Sequence, residues 1–361
     1  MTDTKVPLPQ PTKSSQRPPG RQPMHGEPSS GPDLAALEAC VQEWFAPALL
    51  ATCLPVPTTE VERIARDWLA AGGKRWRPLL VVAVYAELCP GSPLATVRPA
   101  ALAVESLHKA SLIHDDIEDR DLERDGMPTL HARHGIPIAI NTGDFLIGAG
   151  YRLLTHMPVE PATQVRLLRI VAEGHQAMCL GQGEELAFAA RPGPLTLETY
   201  IRLCERKTGA AFEVAILLGA ILGGADDSVC MPLRRFSRAL GVAYQICDDL
   251  ADAQSPCGGD LQDNRPSVLL ALARACGDGR IRRACQALGQ LDQASPASRA
   301  AAANELVEVL REGGVFERAA QLATQQVHVT EHALVDLHHA GLKRLLHRLA
   351  DRLIGSGEPP R

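Results

Sequence analysis

The amino-acid sequence predicts an all-α protein built as one large helical bundle, and three observations carry that prediction. Aromatic residues make up only 4% of the chain while Ala and Leu are abundant, a mix that suits helices better than sheets. Apolar residues recur at helical spacing in run after run, separated by short breaks. No alternating apolar–polar stretch and no hairpin signal of any length stands out. With 361 residues, 45% of them hydrophobic, the chain can bury a core of domain size.

The elements follow in order. Residues 1 to about 32 are rich in Pro, Ser, Gln and Gly and offer little to bury, so they read as a disordered tail. The helical domain spans 33–355, and 356–361 form a flexible end. Asp33 is placed to cap a first helix over LAALEACVQEWF. Thr59 and Glu62 form a capping-box pattern before an amphipathic run that stops at Gly72-Gly73. Helical runs then cover roughly 76–88, 98–118, 144–156, 162–190, 196–222 and 230–253. From Ser267 onward the pattern is helical again, through ASRAAAANELVEVLREGG and HALVDLHHAGLKRLLHRLADRLIG. The runs at 98–118, 162–190, 196–222 and 230–253 are apolar on most faces and belong at the centre.

Composition also excludes functions. A net charge of −5 gives no footprint for nucleic acid or an anionic membrane surface. The ten cysteines form no CxxC pair and several lie in apolar runs, which argues against zinc or a disulfide framework and for a reducing, cytoplasmic setting. No apolar stretch has the length of a membrane span, and the first residues lack the apolar core of a signal peptide.

Two acidic motifs carry the chemistry. The first is Ser111-Leu-Ile-His114-Asp115-Asp116-Ile-Glu-Asp119, the second Tyr244-Gln245-Ile-Cys-Asp248-Asp249-Leu-Ala-Asp252. Each is an apolar helix running into DDxxD. Positions i and i+4 share a helix face, so Asp115 and Asp119 point the same way, as do Asp248 and Asp252. Their charges repel one another, and the helix dipole disfavours them near a C-terminal end. A solvated acidic helix end would explain one such motif, but its repetition after a second apolar helix points to a bound cation. Carboxylates at this spacing suit Mg²⁺, a hard ion that keeps several waters and bridges to phosphates. Metal ions held by two such clusters can turn a diphosphate into a leaving group.

From about residue 60 to 275 the chain resembles the trans-isoprenyl diphosphate synthase (polyprenyl synthetase) family. The markers are Gly72-Gly73-Lys74-Arg75-Trp76-Arg77-Pro78, HKASLIHDDIED, Gly126-Met-Pro128-Thr129, Asn141-Thr-Gly143-Asp144, Gly181-Gln182, Lys207-Thr208-Gly209 and YQICDDLAD. Each is weak alone; their order is specific. The resemblance implies a helical bundle of the isoprenoid synthase type with a central cavity, a homodimer, and three magnesium ions with the bound diphosphate. It implies condensation of isopentenyl diphosphate with an allylic diphosphate. Carried over by position, Asp115, Asp116, Asp119, Asp248, Asp249 and Asp252 are the metal-bridging carboxylates. Lys74, Arg77 and His108 hold isopentenyl diphosphate, Arg124 contacts the allylic diphosphate, and Lys207, Thr208 and Gln245 line the cavity near the reacting carbons.

Departures from the family pattern matter. The family's RRG reads Arg124-Asp125-Gly126 here, placing an acid where an arginine contacts isopentenyl diphosphate. The loop AQSPCGGDLQDNRPS is short and lacks the usual Gly-Lys, with Arg265 standing in for the next lysine. The aspartate expected after Gly181-Gln182 appears as Glu185. In this family the residues just before the first acidic motif limit product length. Here they are the small Ala110 and Ser111, with Leu107 and Val104 further along the same face, which favours geranylgeranyl length or longer. Asp125 also favours an alternative, a terpene synthase that ionises an allylic diphosphate without isopentenyl diphosphate; Lys74, Arg77 and His108 oppose it. A third reading, a non-catalytic partner subunit, sits poorly with two intact acidic motifs.

Overall fold

The computed structural model describes residues 31–191, 193–254, 261, 265–290 and 295–355, and the body that begins at Gly31 is almost wholly helical. The first caps form as their residues dictate. In α1 (Leu34–Trp44), Asp33 accepts from the Ala35 and Ala36 N–H groups. After the short α2 (Pro47–Leu50), α3 (Glu60–Ala70) opens on a capping box. There the Glu62 N–H donates to Thr59 Oγ1 at 3.3 Å, and Glu62 Oε2 accepts from the Thr59 N–H at 2.8 Å. The body continues through α4 (Trp76–Leu88), α5 (Arg98–Asp119), α6 (Leu130–His134), α7 (Ile136–Thr155) and α8 (Pro161–Ala190). It goes on through α9 (Leu197–Cys204), α10 (Ala210–Leu222) and α11 (Asp227–Asp252), followed by helices at Val268–Ala275, Gly279–Gly289, Pro296–Glu312, Val315–Ala333 and Ala340–Ile354.

The centre is α5, packed against α4, α7 and α10. Its residues Ala100 to Leu107, and almost all of α10, are buried. One apolar cluster joins these helices to α1, α3 and the last helix. A second gathers the C-terminal half of α11 with the helices from Val268 onward. The second acidic motif lies at the junction of the two.

Four local features depart from the sequence reading. A two-stranded hairpin, β1 (Glu123–Arg124) and β2 (Met127–Pro128), pairs antiparallel across Asp125-Gly126. Both turn residues have positive φ, 52° and 73°, the geometry of a two-residue hairpin turn, for which Asp-Gly is a favoured pair. Helix α7 begins at Ile136 and not near 144. Its first two turns carry Asn141-Thr-Gly143 of the marker quoted above, and Thr142 and Gly143 are buried. Gly143 is small because the His114 ring from α5 lies against it. The run 196–222 is interrupted by a π turn at Glu205–Gly209. Finally, HALVDLHHAGL is split: one helix ends at Ala333, and the last begins at Ala340 under a cap in which His339 Nδ1 accepts from the Leu342 N–H.

Candidate active site

The cavity that holds the motif residues has a volume of about 410 Å³ and is walled by α5, α7, α8, the π turn, α10 and α11. A larger one, about 550 Å³, lies between α3, the start of α5 and α7, and contains no aspartate of either motif. Chemistry and not size picks the first. Its α5 wall is Val104, Leu107, His108, Ser111 and Asp115, the i, i+3, i+4, i+7, i+11 stripe of one helix face. Facing it are Lys207, Thr208, Ala211 and Val214, then Tyr244 and Gln245 of α11, with Arg77 from the start of α4.

The π turn places Lys207 and Thr208. Extra residues in a helical turn push those side chains out of the α-helical register and into the cavity. The turn fits only because its neighbours are glycines. A Cβ on Gly241 of α11 would collide with the Gly209 backbone, and one on Gly181 of α8 would stand 3.0 Å from the Lys207 nitrogen.

The two DDxxD motifs divide in the same way. The middle aspartate of each turns inward. Asp116 is 1% exposed and accepts from Arg124 Nε at 2.6 Å, with its other oxygen buried. Asp249, 3% exposed, accepts from the Tyr200 hydroxyl and the Val268 N–H, each at 2.7 Å, and from Gln245 Nε2 at 3.0 Å. Those bonds occupy Asp249 as a fastener between α9, α11 and the helix at Val268. Of the six aspartates expected from the sequence, Asp116 and Asp249 are thus buried and hydrogen-bonded, and Asp115 lines the cavity itself. Burial pushes the Asp115 and Asp248 carboxyls up to about 6, with Asp119 and Asp252 respectively adding repulsion.

The basic residues are also divided. Arg77 donates to His108 Nε2 at 2.8 Å and stacks on Trp76 at 4.0 Å. Burial lowers Arg77 to about 10, still charged at neutral pH. Burial, and then Arg77 itself, depresses His108 well below its ordinary range, so its ring is a neutral acceptor. Lys207 Nζ meets Glu185 Oε2 at 2.8 Å; burial opposes its charge, but Glu185 and then Asp115 outweigh it and hold the ammonium above its usual range. Arg265 reaches across to Asp119 at 2.8 Å. Thr208 donates to Gln245 Oε1 at 2.9 Å, which couples it to Asp249.

Other expectations are relocated. Lys74 is exposed on the loop before α4 and lies outside the cavity lining. Ala110 is fully buried and faces away from the cavity, one helix position off the stripe that contains Ser111 and Leu107. Asp125 is exposed at the left-handed first position of the hairpin turn, which gives the acid a conformational reason to be there. Sequence reasoning missed the buried Arg75–Glu105 pair at 2.6 Å, which ties the loop before α4 to α5. It also missed His175, Met178, Cys179 and Leu186 of the α8 wall, although these positions share one helix face with Gln182 of the Gly181-Gln182 marker.

An apolar cavity with carboxylates and cationic side chains at one end defines an enzyme site for a diphosphate on a hydrocarbon chain. The family described as polyprenyl synthetase matches residues 58–306, and the chain belongs to that family. A geranylgeranyl diphosphate synthase of Methanosarcina mazei is 35% identical over 225 residues, 60% of this chain and 68% of that one. One from Mycobacterium tuberculosis is 34% identical over 260 residues, 70% of this chain and 73% of that one. The crystal structure of geranylgeranyl pyrophosphate synthetase from Pyrococcus horikoshii matches with a TM-score of 0.76 at 26% identity, covering 89% of this chain and 98% of that one. The protein is thus a prenyltransferase, and members of its family use a divalent metal.

The residues present fit such an ion. Asp115, Asp119 and Asp248 offer hard oxygen donors, and burial disfavours their charge even where Lys207 and Arg265 oppose it. Among the described residues no three His, Cys, Asp or Glu groups converge on one point. Water and phosphate oxygens would therefore complete the coordination, as Mg²⁺ prefers.

Proposed function

We propose that the protein condenses isopentenyl diphosphate with an allylic diphosphate, using Mg²⁺, and releases an all-trans prenyl diphosphate of geranylgeranyl length or longer. One observation supports this most: the stripe along α5 carries Asp115 at one end, then Ser111 and His108, and only Leu107 and Val104 beyond His108. Charge is handled at one end and hydrocarbon at the other.

In this reading Asp115, Asp119 and Asp248 would hold three magnesium ions, with Asp252 alongside, and metal bound there would supply positive charge toward the allylic diphosphate as a leaving group. Lys207 adds a cation on the cavity side, and Arg265 and Arg124 sit beside Asp119 and Asp116 at the rim. The allylic C–O bond breaks, and both bonding electrons leave with the diphosphate. The Thr208 hydroxyl and Gln245 present oxygen to the resulting cation inside a wall that excludes water. Arg77, oriented by neutral His108, and Lys74 hold the diphosphate of isopentenyl diphosphate. Its alkene attacks the cation, a new C–C bond forms, and the proton lost from the adjacent carbon passes to the released diphosphate.

The cavity also bears on product length. From Asp115 down to Val104 the α5 wall runs about 16 Å at 1.5 Å per residue. The cavity is also lined by Ile147, His175 and Val214, with no large aromatic among the α5 positions. A homodimer is supported by exposed apolar side chains on α7 and α8, among them Ile136, Ile140, Val165 and Leu180. The terpene synthase alternative finds no support in the relatives, and the turn geometry removes the argument from Asp125.

The test is a product assay with Mg²⁺ and farnesyl diphosphate, with and without isopentenyl diphosphate. A longer diphosphate appearing only with isopentenyl diphosphate is the expected result. Hydrocarbon or alcohol formed without it would overturn the proposal.

A further inference from the structure

The larger cavity shares no lining residue with the active site. Its lining combines three cationic side chains, Arg66, Arg98 and Arg152, with the apolar Leu54, Leu69, Phe145 and Leu153. Its only acidic residue, Glu62, has its carboxylate engaged by the Thr58 and Thr59 N–H and hydroxyl groups of the α3 cap. Among the described residues none of the three guanidinium groups has a carboxylate within salt-bridge distance. Arg66 donates to the Leu54 and Pro55 carbonyls. Arg98 Nε is buried with no hydrogen-bond partner. Arg98 and Pro99 are the first residues of α5, a 22-residue helix whose N-terminus has no side-chain cap, so the positive end of its dipole adds to the same field.

A buried guanidinium nitrogen without an acceptor is costly, and arginines sharing one cavity with apolar side chains match a phosphate head on a hydrocarbon chain. From this geometry we infer that the cavity is a second, non-catalytic binding site for a single-chain anionic amphiphile of the kind this enzyme makes, a prenyl diphosphate. The site lies outside the catalytic cavity, and occupying it needs no metal-binding aspartate. The inference goes beyond the proposed reaction and does not depend on the product's length.

The experiment is calorimetric titration of the full-length protein with geranylgeranyl diphosphate in Mg²⁺. Two sites per chain are expected in the wild type. Arg98→Gln with Arg152→Gln should weaken one of them at least tenfold while turnover at low substrate stays within twofold. Gly148→Phe should do the same by filling the cavity, since a Cβ there meets no atom within 4 Å and the arginines stay intact. Asp115→Asn should remove only the other site, so failure of the catalytic reading and of this one are separable. One site per chain in the wild type, or a second site untouched by both cavity variants, overturns the inference. Two parallel measurements complete the test. Mass in solution that falls to the monomer in the cavity variants, with binding unchanged, would make the cavity a subunit contact. Flotation with phosphatidylcholine–phosphatidylglycerol vesicles that is lost in the variants, without binding of the free diphosphate, would reassign the site to a membrane lipid. Either result refutes the assignment.

Discussion

The two aspartates in the middle and at the start of the second motif are adjacent in sequence and do different work. Asp249 accepts from Tyr200, Gln245 and Val268 while almost fully buried, and Asp248 is part-exposed. Asp249→Ala leaves the Tyr200 hydroxyl and the Val268 N–H without an acceptor and should cost about 3 kcal/mol, read as a lower midpoint in urea unfolding. Asp248→Ala and Asp115→Ala should leave the midpoint close to wild type and remove turnover. Near-wild-type rates in either would refute the metal assignment. The sequence showed that DDxxD sits on a helix, and i, i+4 spacing separated the outer pair from the middle residue. What it did not show was the partner of each middle residue. Tyr200 is 49 positions from Asp249, and Arg124 reaches Asp116 only because the hairpin folds it back.

Helices were legible wherever they bury a stripe and are capped by Asp, Thr or Ser. Thr59 and Glu62 are the clearest case. The hydrogen bonds from Thr58 and Thr59 hold the Glu62 carboxyl down at about 2. A folded-state value below the ordinary one of 4.5 means its contribution is present above pH 4.5 and is lost as the pH falls toward 2. The melting difference between wild type and Glu62→Gln should therefore be open at pH 7 and closed near pH 2. A difference independent of pH would show that the charge is immaterial to the cap. The π turn and the hairpin were not legible, for opposite reasons. The π turn looks like any apolar helix until its glycine neighbours are seen. Asp125-Gly126 is a hairpin signal, but its flanking strands are two residues each and have no pattern to read. Gly241→Ala should displace the π turn, since the added methyl meets Gly209. It is expected to lower turnover at least a hundredfold, measured in single-turnover mode, with helical content by circular dichroism retained.

At the scale of the whole molecule, the order of the family markers specified the fold more firmly than any composition argument. The cavity's shape needed the structure. Ala110, next to Ser111, belongs to the core, while His175 lines the cavity from α8, with its Nδ1 3.2 Å from the Tyr151 hydroxyl. His175→Ala should lengthen the product by at least one five-carbon unit in the assay above. Ala110→Phe should instead lower stability by about 2 kcal/mol through overpacking. Unchanged products from the first variant, with a shift from the second, would return length control to the positions just before the first motif.

On the proposed reading, the α5 wall makes the cavity a gauge with its zero at Asp115. Its graduations are helical turns of about 5.4 Å, close to the reach of one added isoprene unit. The blocking side chain can come from any neighbouring helix that crosses the stripe, so drift at a single position moves the stop by whole steps. Products of discrete length then follow from the periodicity of the wall, with the reacting end untouched.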